Sequence, residues 1–194
     1  MRVTPLLPDI WRWTWFSQDK GMDFNGYAVK LPAGLVLIDP AYSEDDDWHE
    51  LQALGKPSAI LLTNKDHERA SAGLRHLFGA PIWVHEADAP LLQAKPDRTF
   101  GDEDTPAEAL RTFRFTRLKS PGECAFLWPE RRILFVGDAV TGHPAGSIGL
   151  VMKHRDKPEV LEDLRRLLAV DFDTLLVGDG QPFLTGGKAA LERF

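Results

Sequence analysis

Between Ser58 and Ser71 the chain reads SAILLTNKDHERAS: an apolar run, Ala59-Ile60-Leu61-Leu62, stops abruptly and polar residues take over. A short, partly branched apolar run of this kind fits a strand buried on both faces of a sheet. Asn64, Lys65, Asp66, His67, Glu68 and Arg69 then stand at a strand's carboxyl end, just ahead of a helix start at Ala70-Ser71-Ala72-Gly73-Leu74. In open α/β sheets this is the crevice where ligands bind. The plainer reading of the same residues is a polar loop in which Asp66 caps the first helical turn.

Three later segments repeat the punctuation, each placing glycine and an acid at a strand end. They are Ser120-Pro121-Gly122-Glu123, Leu134-Phe135-Val136-Gly137-Asp138 and Leu175-Leu176-Val177-Gly178-Asp179-Gly180. Glycine beside an acid lets the backbone pass close to a bound ion or a partner chain. Carboxylates at so many strand ends point to a shared site rather than to surface decoration.

Alternation of Trp11, Trp13 and Trp15 with Arg12 and Thr14 predicts a half-buried strand over Ile10 to Phe16. Its tryptophan face belongs to the core; left exposed, it would suit a homodimer. Asp23 to Leu31 and Gly34 to Asp39 predict a hairpin about Pro32-Ala33-Gly34. Helices are expected over Ser43 to Leu54, Ala72 to Phe78, Glu86 to Gln93, Pro158 to Val170 and near Gly187 to Phe194, and strands over Pro81 to His85, Leu110 to Leu118, Cys124 to Trp128, Ile133 to Val136 and Thr174 to Val177. Lys95 to Ala109, polar and carrying Pro96, Gly101 and Pro106, reads as loop. A β-rich stretch followed by α/β occurs twice, which implies two sheets packed face to face with helices outside.

With 194 residues, 43% of them hydrophobic, one substantial core is expected, and so a single domain over 1–194. A net charge of −6 argues against nucleic acid as a partner, because phosphate binding needs clustered Lys and Arg. No run approaches the roughly 18 apolar residues of a membrane span. The amino-terminal MRVTPLLPDIWRW has no signal-peptide core. One cysteine, Cys124, leaves no internal disulfide and no cysteine-based zinc site, in keeping with the cytoplasm.

The order of these segments resembles the metallo-β-lactamase-fold superfamily from about Asp23 to the end. LVLIDP closes a hairpin, LLT leads into the metal motif, SPGE stands where the family has a Pro-Gly-His turn, LFVGDAV carries its bridging aspartate, and LLVGDG replaces Gly-His-Gly. The resemblance implies an α+β fold, a four-layer αββα sandwich. Anchored on Leu61-Leu62-Thr63, the family's His-x-His-x-Asp-His falls on Asn64-Lys65-Asp66-His67-Glu68-Arg69. One metal site then becomes Asn64, Asp66, Glu123 and the bridging Asp138, and the other becomes Glu68, Arg69, Asp179 and Asp138. Sliding the register by two residues would make His67 a ligand but put Leu62 on a ligand position.

Oxygen donors shift the preference from zinc toward magnesium, manganese or calcium. Arg69 cannot ligate a metal, yet its guanidinium can take a cation's place beside Asp138 and Asp179. The resemblance therefore implies a divergent hydrolase with at most one divalent metal (Mn, Mg or Zn), held mainly by Asp66, Glu123 and Asp138 with help from His67. Its substrate would be a small ester, thioester or phosphoester, with Asp66 or Glu123 as general base. The rival is a non-catalytic binding or scaffold protein without metal, in which ion pairs of the Glu68-Arg69 segment neutralise the carboxylates. Buried carboxylates need something positive among them in either case. His143 and His154, after Asp138, fall where a substrate-facing loop is expected, and Asp39 would support the crevice as an acceptor.

Overall fold

The structure, a computed structural model, describes residues 2–43, 48–151 and 158–194. Among the described residues, eleven strands and four helices follow one another along the chain. The first sheet holds β1 (Thr4–Leu7), β2 (Ile10–Ser17), β3 (Met22–Leu31), β4 (Gly34–Ile38), β5 (Ala59–Leu61), β6 (Ile82–His85) and β7 (Arg98–Phe100), in that spatial order. β8 (Arg111–Arg114), β9 (Cys124–Trp128), β10 (Ile133–Val136) and β11 (Thr174–Val177) form the second, in the order β11-β10-β9-β8. Helices α1 (His49–Ala53) and α2 (Ser71–Phe78) follow β4 and β5, and α3 (Pro158–Leu167) and α4 (Gly187–Arg193) flank β11 in the chain.

Alternation along each strand sorts its side chains into layers. Ile10, Tyr27, Val29, Val36, Ile38 and Leu61 meet Phe126, Phe135 and Leu176 between the sheets. Trp13, Leu37, Ile60 and Leu62 point the other way and pack with Leu51 of α1 and Leu74 of α2. On the outer face of the second sheet, Leu134, Val136, Leu175 and Val177 pack with Val160, Leu164 and Leu167 of α3 and Leu191 of α4. The result is the expected αββα sandwich. Tryptophans 11, 13 and 15 belong to the helix-covered face, with Trp13 buried and its indole N–H donated to Ala41 O at 3.0 Å.

Four local expectations change. β1 adds an edge strand that the sequence pattern did not announce, irregularly paired to β2. β7 lies inside the segment read as loop; it is three residues long, and only Phe100 is buried, so its place comes from backbone pairing with Trp83 to His85. The helix expected over Glu86 to Gln93 shrinks to one 3₁₀ turn at Ala89–Leu91, where Pro90 offers no N–H and Asp88 turns inward. α1 covers five residues of the expected Ser43 to Leu54, and Glu44 to Asp47, like His154, lie outside the described residues. Among the described residues no helix is long and apolar enough to cross a membrane.

Gly26 sits where β3 passes under Trp13: a Cβ there would lie 2.5 Å from the indole ring and 2.6 Å from Ala41 N. Backbone cannot yield as a flexible side chain does, so Gly26→Ala is expected to lower stability by about 1–3 kcal/mol, read as a lower urea midpoint. An unchanged midpoint would show that the Trp13 indole and the backbone at Ala41 can shift at no cost.

Candidate functional site

The site forms where β4, β5, β10 and β11 end. β4 ends at Ile38, and Asp39 just beyond it takes a positive φ of 46°. One carboxylate oxygen accepts Thr63 N at 2.8 Å; the other accepts Thr63 Oγ1 at 2.6 Å and faces His67 Nδ1 at 2.8 Å. β5 runs through Thr63 into Asn64, which caps a 3₁₀ turn over Lys65–His67: Asn64 Oδ1 accepts Asp66 N at 2.8 Å. This turn aims His67 inward and Asp66 outward. His67 is 2% exposed, and Asp66 is 39% exposed along its side chain.

His67 lies between two carboxylates, with Nε2 3.4 Å from Asp138 Oδ1. Burial and the Arg69 charge push its pKa down, but Asp39 and Asp138 outweigh them and raise it to about 10. At neutral pH it is an imidazolium. A ring nitrogen on an orienting carboxylate with the other aimed at Asp138 is how a metal-ligating histidine is held.

Asp138 takes a second cation. Lys119 bridges it to Asp66, with Nζ 2.6 Å from Asp66 Oδ2 and in contact with Asp138 Oδ2. Burial pushes the Asp138 carboxyl up, and His67 and Lys119 pull it far below the ordinary range, so it stays ionised. The Lys119 ammonium is held well above its usual pKa because Asp138 and Asp66 overcome its burial. Asp179 carries the third cation, Arg69 Nη2 at 2.7 Å; the same guanidinium donates to Asn25 O at 3.3 Å and lies 4.4 Å over the Phe24 ring. Burial still raises the Asp179 carboxyl above its ordinary value, against the pull of Arg69.

Glu123 follows a different route. It is fully buried, and Oε1 accepts Asn64 Nδ2 at 3.0 Å and Asp138 N at 2.9 Å. Oε2 has no partner among the described residues. Burial and the Asp138 charge push its carboxyl well above the ordinary carboxylate range. Gly137 makes room for this packing: a Cβ there would meet Thr63 Oγ1, Asn64 Nδ2 and Glu123 Oε1 all within 2.8 Å.

His67, Asp138 and Asp179 therefore converge, their ligand atoms lying within 4.8 Å of one another. Asn64 and Glu123 flank Asp138, and Asp66 joins through Lys119. Glu68 does not join: its carboxylate accepts Gln93 N at 2.9 Å and Ala94 N at 2.6 Å, tying down the neighbouring loop. Arg69 meets Asp179 but not Asp138, while the Glu68 carboxylate is taken up by the backbone of Gln93 and Ala94. Asp138 receives His67 and Lys119 in place of Arg69. Lys119 carried no signal in the sequence, standing alone between Leu118 and Ser120.

Residues 4–194 match the metallo-beta-lactamase superfamily. The chain belongs to that superfamily. Among solved structures it is similar to the DIM-1 metallo-beta-lactamase, with 14% identity, a TM-score of 0.80, and 99% of this chain and 94% of that one covered. It is similar to TTHA1623, solved in a di-iron-bound form, at 27% identity and a TM-score of 0.69, covering 92% and 96% of the two chains. A metallo-beta-lactamase from Erythrobacter litoralis gives 18% identity and a TM-score of 0.77, covering 98% and 92%. A comparison with curated proteins returns no match.

Measured against a two-metal centre of this superfamily, the donor set does not fit. Asp138 and Asp179 already hold Lys119, His67 and Arg69, and a guanidinium cannot ligate a metal. The orphaned Glu123 Oε2 offers a single oxygen. Of the two candidate bases, Glu123 is sealed from solvent with its carboxyl pushed well up, and Asp66, although burial pushes its carboxyl up, is held below its ordinary range by Lys119 and Lys65.

Removing one member of a buried ion pair strands its partner, which costs about 3–5 kcal/mol. His67→Gln should lose that much at pH 7, measured by chemical denaturation. The sign of the pH dependence follows from the folded pKa of about 10 against the ordinary 6.5. The stabilisation by the His67 proton is complete below 6.5 and is lost as pH rises through 10. The stability gap between parent and variant should accordingly narrow over that interval; a gap constant with pH would mean the ring is neutral.

Proposed function

We propose that this chain is a metal-independent, small-molecule-binding protein built on the hydrolase-like fold of its superfamily. One observation carries the reading: Asp138 and Asp179, at the ends of β10 and β11, already meet side-chain cations, His67 and Lys119 on Asp138 and Arg69 on Asp179. A crevice of about 580 Å³ opens beside them, lined by Tyr42, Lys65, Asp66, Glu68, Arg69 and Leu91. Its charged floor and the exposed Tyr42 and Leu91 at its rim suit a small polar molecule with an apolar part.

The convergence of His67, Asp138 and Asp179, together with the likeness to a di-iron-bound relative, favours a second reading. In it the protein is a hydrolase of small esters, thioesters or phosphoesters holding one divalent metal on these side chains. Asp66 and Glu123 would be its acid and base groups.

Elemental analysis separates the two. Protein incubated in turn with manganese, magnesium, iron and zinc, then desalted, is expected to retain no stoichiometric metal. One equivalent per chain, abolished by Asp138→Ala, would establish the second reading instead.

A further inference from the structure

The crevice of about 580 Å³ beside Lys65 is walled mainly by polar side chains, and its charges come in equal number: Lys65 and Arg69 against Asp66 and Glu68. Each is already answered. Lys65 Nζ donates to Asp66 Oδ1 at 2.6 Å, and the other oxygen of Asp66 meets Lys119 Nζ at 2.6 Å. Arg69 is committed to Asp179, and the two oxygens of Glu68 accept Gln93 N and Ala94 N. A ligand with a full charge therefore finds no waiting counter-charge on this wall; whatever ion pair it forms, it forms at the expense of one already made.

Hydroxyl groups meet no such conflict. A carboxylate has about four lone-pair sites, and an ammonium carries more protons than a single contact uses, so Asp66, Glu68 and Lys65 keep hydrogen-bonding capacity after these contacts are made. A hydroxyl both donates and accepts, so neighbouring hydroxyls can bridge a paired carboxylate and ammonium such as Asp66 and Lys65 without separating them. Gln93 adds an exposed amide side chain with no partner among the described residues, again a donor and an acceptor together. The rim supplies an apolar surface. Tyr42, 43% exposed, packs at 72° against Trp15 with ring centroids 5.3 Å apart; Trp15 packs on Phe24 at 5.7 Å, and the Arg69 guanidinium lies over the Phe24 ring. This stack braces the Tyr42 ring from behind and leaves its open part to the crevice.

A charge-balanced wall of mixed donors and acceptors facing one fixed aromatic ring is complementary to a molecule rich in hydroxyls, uncharged, and apolar on one side. We propose that the crevice binds a neutral sugar, with its hydroxyls on Lys65, Asp66, Glu68 and Gln93 and the C–H bonds of its ring against Tyr42. The electron-rich face of an aromatic ring attracts the slightly positive C–H bonds of a sugar, and the hydrogen bonds around the ring's edge fix its orientation. This inference rests on the reading of the crevice as a small-molecule site and narrows the class of its ligand.

The test is calorimetric titration of the intact chain with glucose, galactose and ribose, and with glucuronate and glucosamine as the anionic and cationic analogues. At least one neutral sugar is expected to bind saturably and more tightly than either charged analogue. Tyr42→Ala should weaken that sugar about five- to tenfold while Tyr42→Phe leaves it unchanged, because the ring rather than the hydroxyl makes the contact. Gln93→Ala, at an exposed side chain, should weaken it about threefold or more, the loss of one hydrogen bond, with the melting temperature unchanged. The proposal is overturned if none of the three neutral sugars binds saturably, if glucuronate or glucosamine binds as tightly, or if Tyr42→Ala and Gln93→Ala both leave the affinity intact. Metal content measured on the same samples keeps the two questions apart: metal-free protein that binds no sugar overturns the ligand class alone, whereas retained metal overturns the metal-independent reading whatever the sugars do.

Discussion

Five strand and turn ends of this fold deliver acids into one small volume, and the structure depends on how that charge is balanced. An ionised carboxylate moved out of water costs several kcal/mol even after relaxation, and Asp39, Asp138 and Asp179 are all nearly sealed from solvent. The imidazolium of His67 answers two of them at once, from a position 2.8 Å from Asp39 and 3.4 Å from Asp138. Arg69 and Lys119 complete the balance, and burial and the Asp138 charge push the Glu123 carboxyl well above its ordinary range. His67 and Arg69 come from the turn after β5 and Lys119 from the segment before β9, so contacts to Asp39, Asp138 and Asp179 tie the ends of both sheets together.

This arrangement also explains features that packing alone would not select. Asp39 and Arg69 take positive φ values of 46° and 34°, a conformation that non-glycine residues rarely hold without compensation. For Asp39 the compensation is three hydrogen-bonding contacts to Thr63 and His67; for Arg69 it is Asp179, Asn25 and the Phe24 ring. Asn25 Nδ2 in turn donates to Val177 O and Gly180 O, which ties β3 of the first sheet to the end of β11 in the second. Local strain is thus exchanged for a rigid frame around Asp138. In this member of the superfamily the frame holds the contacts of Asp138 with His67 and Lys119 and of Asp179 with Arg69.

Much of the architecture was legible because it rests on short-range patterns. The alternation of Trp11, Trp13 and Trp15 marked β2, the apolar run at Ala59 marked β5, and the glycine-acid pairs after β10 and β11 marked where the chain turns beside the site. β1 and β7 were not legible: edge strands draw their stability from a neighbour's free amides and carbonyls, and neither Thr4–Leu7 nor Arg98–Phe100 has a face of its own to bury. Pro90 and the inward turn of Asp88 likewise removed a helix that composition alone favoured.

By itself, the sequence determined the αββα plan, the acids at the strand ends and the requirement for compensating positive charge, since these follow from periodicity and from the cost of burying carboxylates. Which cation meets which acid was decided only by the tertiary structure. Glu68 and Arg69 are adjacent in the chain, yet the turn sends one to the Gln93 loop and the other to Asp179; Lys119 reaches Asp138 from a segment with no motif at all. Coulomb attraction depends on distance in space, and a pairing between residues 28 or 110 positions apart, such as Asp39 with His67 or Arg69 with Asp179, leaves no trace in local spacing.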